Sequence, residues 1–294
     1  MEAELRIWKY HGTGNDFVML EDLSDEHPLT AEVVTALCDR RFGVGADGAI
    51  RVTRAGDGDF FMDYWNADGT VAEMCGNGIR CLGKLVHERG LTSKTELDIG
   101  TRAGSKHISL RVDGGVVRSV TVGMGPPAFA LSTIPMLGPD DGTFLLQPFE
   151  VGGRVFMASA VSMGNPHLVL FTEEKPDRVD VGTIGPMVER HKLFPQRTNV
   201  EFVAADDSGL TVRVWERGVG ETMACGTGAC AALVAANEAG LVPRRAKVRF
   251  PGGILGVERR ADDEVLLTGP VERVFEATLD DAWVKSRLGS RGAA

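Results

Sequence analysis

Short runs of apolar residues, several alternating with polar ones, recur along the chain and are cut apart by glycine, aspartate and proline. They predict strands over 16–20 (DFVML), 49–52 (AIRV), 59–65 (DFFMDYW), 107–112 (HISLRV), 116–122 (VVRSVTV), 167–171 (HLVLF), 199–203 (NVEFV), 210–215 (LTVRVW), 246–250 (AKVRF) and 264–269 (EVLLTG). Helical spacing is rarer. Ile79, Leu82, Leu85 and Val86 fall on one face of IRCLGKLVHERG, which predicts a helix ending at Gly90 as its C′ residue. ACAALVAANEAG is apolar nearly all round, the pattern of a buried helix, and stops at Gly240. Pro126-Pro127 and the turn-rich PMLGPDDGT at 135–143 mark a junction, and the final KSRLGSRGAA reads as a loose tail.

Each predicted helix follows a cysteine and a glycine turn: MCGNGIRC begins at Met74 and ACGTGACA at Ala224. Cys75 and Cys225 lie 150 residues apart, and the same offset lays Trp65-Asn66 on Trp215-Glu216, Gly14-Asn15 on Gly164-Asn165, and Asp39-Arg40 on Glu189-Arg190. Matches holding one register through half the molecule, tryptophan and cysteine among them, point to a duplicated domain. The expectation is an α+β fold of two pseudo-symmetric, strand-rich units, each around a central helix.

With 294 residues, 43% of them hydrophobic and 25% charged, the chain has the proportions of a globular protein able to bury two cores. A formal charge of −9 disfavours a nucleic-acid surface, which carries a clustered basic face. No apolar run reaches the roughly 20 residues of a membrane span, and MEAELRIWKY lacks the order of a secretory signal, so a cytoplasmic location without membrane partners is expected. Five cysteines, an odd number, argue against a disulfide framework, and their spacing is not that of structural zinc, so no metal is expected.

A cysteine at the entry to a helix meets backbone N–H groups that lack intrahelical partners, and the helix dipole adds positive potential there. Such a turn can hold an anion such as a carboxylate, and it can lower a thiol from about 8.5 to roughly 3.5–7.5. Glycine after the sulfur lets the amides approach a ligand closely. Two such turns facing each other would leave one sulfur on each side of a bound carbon, a geometry suited to stereochemical inversion: one thiolate removes the α-proton, amide dipoles stabilise the developing charge, and the opposite thiol returns a proton. That scheme needs no cofactor, and neither a P-loop nor a dinucleotide fingerprint is present.

HGTGNDF (11–17), RFGVGADG (41–48), NADGTVAEMCGNGIRC (66–81), SMGNPH (162–167), RTNVEF (197–202) and WERGVGETMACGTGACA (215–231) run in order along nearly the whole chain and resemble diaminopimelate epimerase. The resemblance implies two domains, each a β-barrel-like sheet around a helix, spanning 1–123 with 270–294, and 124–269, with the active site in the cleft between them and a last strand near 271–277 returning to the first. It implies epimerisation of LL-diaminopimelate to the meso form without pyridoxal phosphate, for lysine and peptidoglycan synthesis, in a homodimer. Carried over by position, Cys75 and Cys225 are the catalytic acid/base pair. Gly76, Asn77, Gly226 and Thr227 hold the reacting carboxylate, Asn15 and Glu216 lie near the reacting amino group, and Asn66, Asn165, Asn199 and Arg217 read the distal end, with Arg217 suited to a bidentate carboxylate clamp. His167 supports the site. Many relatives carry glutamine where Gly48 stands, so that contact is lost here or passes to water.

Simpler readings stand beside these. Cys38, in VVTALC, and Cys81 and Cys230, inside the helices, read as buried packing residues. Asn15 and Asn66 alone would be ordinary turn residues, and Glu216 with Arg217 a solvated pair. Three alternatives remain for the whole chain. One is a cofactor-free racemase of another amino acid such as proline or histidine, although proline racemase-like proteins show histidine where Asn77 stands. Another is a PhzF-like isomerase, which usually lacks the cysteine pair. The third is a non-catalytic amino-acid-binding or thiol redox protein, which has no use for Glu216 and Arg217.

Overall fold

The computed structural model describes residues 5–288. The chain divides into two compact units, one running to Val122 and resuming at Pro270, the other spanning Gly123–Gly269. In the first, β1 (Arg6–Gly12), β2 (Asn15–Glu21), α1 (Ala31–Cys38), β3 (Gly48–Thr53), β4 (Phe60–Asn66), α2 (Gly76–Glu88), β5 (Glu96–Gly100), β6 (Lys106–Asp113) and β7 (Val116–Gly125) follow in order. The second holds β8 (Gln147–Val151), β9 (Arg154–Ser162), β10 (Pro166–Phe171), α3 (Val181–Glu189), β11 (Asn199–Asp206), β12 (Gly209–Glu216), β13 (Gly220–Thr222), α4 (Gly226–Glu238), β14 (Arg245–Phe250), β15 (Gly253–Arg259) and β16 (Val265–Gly269). β17 (Glu272–Thr278) and α5 (Asp281–Leu288) then return to the first unit, where β17 pairs antiparallel with β1.

The two ladders repeat one plan. β1 and β2 are antiparallel, β2 and β3 parallel, β3 and β4 antiparallel, and β4 and β5 parallel. β9, β10, β11, β12 and β14 follow the same alternation. Parallel neighbours need a crossover, and every parallel joint is spanned by a helix: α1 and α3 at the first joint, α2 and α4 at the second. In the second unit β8 flanks β9 as β17 flanks β1, so the last strand fills in the first unit the place that β8 fills in the second.

The repeat is nearly exact at an offset of 150 residues, α2 beginning at Gly76 and α4 at Gly226, with one local slip. Phe17 faces Gly48 across the parallel joint, whereas His167 faces Asn199, so β11 is displaced by one residue and Ile50 corresponds to Glu201. The central helices are enclosed by their strands. α2 is buried from Gly76 to Val86, and α4 buries nearly every residue from Gly226 to Ala236.

Several elements escaped the periodicity. β1, β5, β8, β9, β13 and β15 lie outside the predicted runs, as does α1, whose VVTALC shows only an apolar stretch. α3 is missed for a physical reason: Gly182, Gly185 and Pro186 interrupt it, and its start is secured by Asp180, whose carboxylate accepts from the Thr183 N–H at 3.1 Å. The tail is corrected in part, because α5 takes its first four residues into a helix. The remainder, 289–294, lies outside the described residues. Among the described residues no helix is long and apolar enough to cross a membrane.

Candidate active site

Each unit carries a half-site at the start of its central helix. Cys75 is the N-cap residue of α2, with extended φ/ψ of −139° and 120°, and Cys225 is the N-cap of α4 at −124° and 125°. N-caps are normally Ser, Thr, Asp or Asn, whose oxygen accepts from the first-turn amides. Cysteine caps weakly. In α4 the Cys225 sulfur accepts from the Gly228 N–H at 3.4 Å, and in α2 no side-chain cap bond forms.

In the first half-site the Cys75 thiol donates to Asn15 Oδ1 at 3.6 Å, and Asn77 Nδ2 donates to the same oxygen at 3.1 Å. Asn15 is itself held, because its Nδ2 donates to Asp47 Oδ2 at 2.9 Å. Arg40 bridges Asp47 and Asp16, each at 2.7 Å, and Lys9 pairs with Asp16 at 2.6 Å. Burial works against ionising Asp16, but hydrogen bonds from Arg40 and Lys9 outweigh it and hold the carboxyl down at about 2. Below the helix start the floor is apolar: a Cβ on Gly78 would meet Ile50 Cδ1 at 2.6 Å and Met62 Cε at 2.8 Å.

Asn66 accepts from the Tyr64 hydroxyl at 3.1 Å and donates to Thr70 Oγ1 at 3.0 Å. Gly48 has a steric reason. A Cβ there would lie 2.5 Å from the Trp65 carbonyl oxygen and 2.8 Å from the Tyr64 ring, so the tyrosine occupies space that a larger residue at 48 would need.

The second half-site buries its ionisable groups more deeply. Cys225 Sγ lies 3.4 Å from Thr227 Oγ1, and Asn165 Nδ2 donates to Thr227 Oγ1 at 3.3 Å. Asn165 Oδ1 faces His167 Nε2 at 2.9 Å, and His167 Nδ1 faces Glu201 Oε1 at 2.7 Å. His167 and Glu201 are both 0% exposed. Glu216 accepts from the Thr222 hydroxyl and is also hydrogen-bonded to Cys225. Burial raises the carboxyls of both Glu201 and Glu216. Burial, followed by the neighbouring Glu216 and Glu201, pushes the Cys225 thiol well above its usual range, outweighing Thr227 and the Gly228 amide. A helix N-terminus alone predicts a lowered thiol, so at Cys225 desolvation and the neighbouring acidic groups override the backbone, and this sulfur holds its proton.

The expected distal residues sit differently from one another. Asn199 uses both ends within the protein, donating to the Pro166 carbonyl at 2.9 Å and accepting from the Arg217 N–H at 2.8 Å. It therefore fixes the Arg217 backbone, while the Arg217 guanidinium is exposed, with one bond of 3.4 Å to the Gln196 carbonyl. Cys38, Cys81 and Cys230 are buried free thiols. Among the described residues no cluster of three or more His, Cys, Asp or Glu side chains is arranged to hold a metal ion.

Sequence reasoning missed Asp47, Tyr64, Thr222 and Glu201. A signal existed for Glu201. In NVEFV the alternation puts residues 199, 201 and 203 on one face, so a glutamate stood in the middle of an otherwise buried strand.

The family model described as diaminopimelate epimerase matches residues 7–130 and 159–274. Diaminopimelate epimerase of Acetivibrio thermocellus is 42% identical over 278 residues, covering 94% of this chain and 99% of the relative. That of Pelotomaculum thermopropionicum is 45% identical over 274 residues, covering 92% and 97%. Solved structures with the same fold include a hydroxyproline epimerase from Agrobacterium vitis, with a TM-score of 0.69, 15% identity and coverage of 95% of this chain and 94% of that one. A predicted epimerase from Pseudomonas aeruginosa has a TM-score of 0.65 at 18% identity, covering 94% and 99%.

Proposed function

Since the chain belongs to the diaminopimelate epimerase family, we propose that it interconverts LL- and meso-diaminopimelate by a two-base mechanism with Cys75 and Cys225 as the acid/base pair. Cys75, as thiolate, takes the α-proton from one face; the electron pair of the broken C–H bond moves into the carboxylate, giving an enediolate. The Cys225 thiol gives its proton to the opposite face, re-forming the C–H bond with inverted configuration. The chain ends the turnover with a thiol at Cys75 and a thiolate at Cys225, ready for the reverse reaction or for resetting by proton exchange with water.

The backbone N–H groups of Gly76, Asn77, Gly226 and Thr227 hold the reacting carboxylate. Donors of this kind are worth on the order of 3 kcal/mol each where charge develops, and a positioned acid or base adds about 10²–10⁴-fold. Asn15 and Glu216 receive the amino group, while Asn66, Asn165, Asn199 and Arg217 read the distal end. The enzyme works as a cytoplasmic homodimer, needs no pyridoxal phosphate, and supplies lysine and peptidoglycan synthesis.

The observation that carries this reading is the unequal pair of caps. Both cysteines start a buried helix, yet acidic groups around Cys225 keep its proton, while the Cys75 thiol is hydrogen-bonded to the neutral amide oxygen of Asn15. Incubation with LL-diaminopimelate in deuterated buffer, followed by NMR, tests it. Deuterium should enter the α-position as the meso form appears. Exchange on another amino acid but not on diaminopimelate would remove the substrate assignment.

A further inference from the structure

The duplication provides an internal control for the floor beneath each helix start. Under Gly78 of α2 lie Phe17 and Ile50. The positions matching them across the ladders are His167 and Glu201, and a Cβ on Gly228 of α4 would come within 2.8 Å of Glu201 Oε1. The fold is therefore built equally well on an apolar pair. Taking two ionisable groups out of water costs stability, and nothing in the strand pairing requires it.

Hydrogen-bond polarity gives that pair a direction. Asn165 presents Oδ1 to His167 and Nδ2 to Thr227. An oxygen facing Nε2 demands a proton on Nε2. Nδ1 then faces Glu201 either as a lone pair accepting from a protonated carboxyl or as part of an imidazolium beside a carboxylate; in both forms the pair carries no net charge. Thr227, accepting from Asn165, has its own hydrogen free for the Cys225 sulfur at 3.4 Å.

We propose, resting on the two-base reading above, that Glu201 is a positioning residue for epimerisation: through His167, Asn165 and Thr227 it directs a hydroxyl hydrogen onto the sulfur that becomes a thiolate when Cys225 gives up its proton. Glu201 touches no substrate. It acts by holding the proton that fixes the orientation of the chain.

The titratable groups facing the pair are Glu216 from β12 and Cys225 from α4, with His167 itself on β10. Loss of the shared proton at high pH leaves Nε2 bare, so the Asn165 amide turns over, Thr227 donates to Asn165, and the sulfur loses its donor. Activity then falls on the alkaline side.

Glu201→Gln and Glu201→Leu test this. Glutamine donates from its amide to Nδ1 at every pH, so Nε2–H persists; that variant should keep turnover within about threefold and move the alkaline decline up to where Cys225 itself ionises. Leucine, matching Ile50 in the sister unit, should fold normally yet lose at least about tenfold in kcat. ¹⁵N shifts of the His167 ring, assigned with a His167 variant, read the tautomer without substrate. Nε2 should be protonated in the wild type near neutrality, and in the glutamine variant throughout. A bare Nε2 in the neutral wild type, an alkaline decline unchanged by glutamine, or a folded leucine variant within about twofold of wild type would each overturn the proposal. If leucine prevents folding, the glutamine profile and the ring shifts decide. A wild type that exchanges no α-hydrogen removes the functional reading instead, and the ring shifts still judge Glu201.

Discussion

Gly78 and Gly228 occupy the same turn of sister helices, and replacing each by alanine separates helix propensity from what lies beneath. Alanine gains up to about 1 kcal/mol over glycine in a helix, and neither residue has a positive φ that would forbid it. At Gly78 the new methyl would sit 2.6 Å from Ile50 Cδ1 and 2.8 Å from Met62 Cε, the movable ends of two side chains. Overpacking of that kind costs about 1–3 kcal/mol, so the net change at Gly78 is about 0–2 kcal/mol of destabilisation.

At Gly228 the obstacle is Glu201 Oε1 at 2.8 Å, on a strand hydrogen-bonded to both neighbours and already engaged with His167 at 2.7 Å. Retreat by half an ångström breaks a charge-assisted bond worth about 1.5–3 kcal/mol in addition to the crowding. Gly228→Ala should therefore cost about 2–4 kcal/mol after the propensity gain, and at least about 1 kcal/mol more than Gly78→Ala. Urea denaturation with slopes compared between variants measures the difference, and the same samples assayed for α-hydrogen exchange should show the larger loss of turnover at 228. Equal midpoints, or a Gly228→Ala protein more stable than wild type, would refute the claim that this glycine exists to seat the Glu201 carboxylate.

Cys75→Ala and Cys225→Ala should each abolish epimerisation while circular dichroism stays native, because the proposed scheme requires both as proton carriers; full activity in either ends the two-base scheme. The Asp16 carboxyl, held at about 2, contributes stability that is complete above its unfolded value near 3.8 and is lost as pH falls from there through about 2. That contribution is on the order of 2 kcal/mol, so the stability gap between wild type and Asp16→Asn in urea should be widest near pH 6 and close toward pH 2, whereas a gap independent of pH would show that the Arg40 and Lys9 bonds do not require ionisation. Gly48→Gln should lower stability by more than about 2 kcal/mol, since its Cβ meets a backbone oxygen at 2.5 Å; thermal unfolding at or above the wild-type midpoint would show that Tyr64 and β4 give way freely.

Sequence carried the duplication because side chains with costly alternatives, tryptophan and cysteine, kept their places at one offset. It carried the two central helices because their burial left an apolar record. It did not carry the crossover helices. α1 buries only Val33, Val34, Leu37 and Cys38, and α3 contains Pro186, so neither shows the length or continuity that periodicity needs. The half-sites were legible at the cysteines and poorly legible around them. Asp47 and Thr222 look like turn and surface residues until pairing brings Asp47 to Asn15 and Thr222 to Glu216. Asn199 shows a double engagement: its place in the motif implies a substrate contact, and its amide also accepts from the Arg217 N–H and donates to the Pro166 carbonyl. A motif records which residues are near a site, while the division between those that touch a ligand and those that hold the ones that do is set by tertiary hydrogen bonding.

The caps themselves argue that the helix starts are shaped for chemistry rather than for stability. α1 and α3, which carry no candidate group, begin with ordinary caps: Thr30 accepts from the Val33 N–H and Asp180 from the Thr183 N–H. α2 and α4, built by the same chain at the matching joints, begin with cysteine, and forgoing a good cap costs about 1 kcal/mol per helix. The weakness is tolerated because both helices are enclosed along most of their length, so packing holds them where capping does not. A serine at either position would restore the cap and remove the thiol. The same first-turn amides that a good cap would saturate are the ones the proposed carboxylate site would use, so under that reading stability at these two turns and binding at them are alternatives.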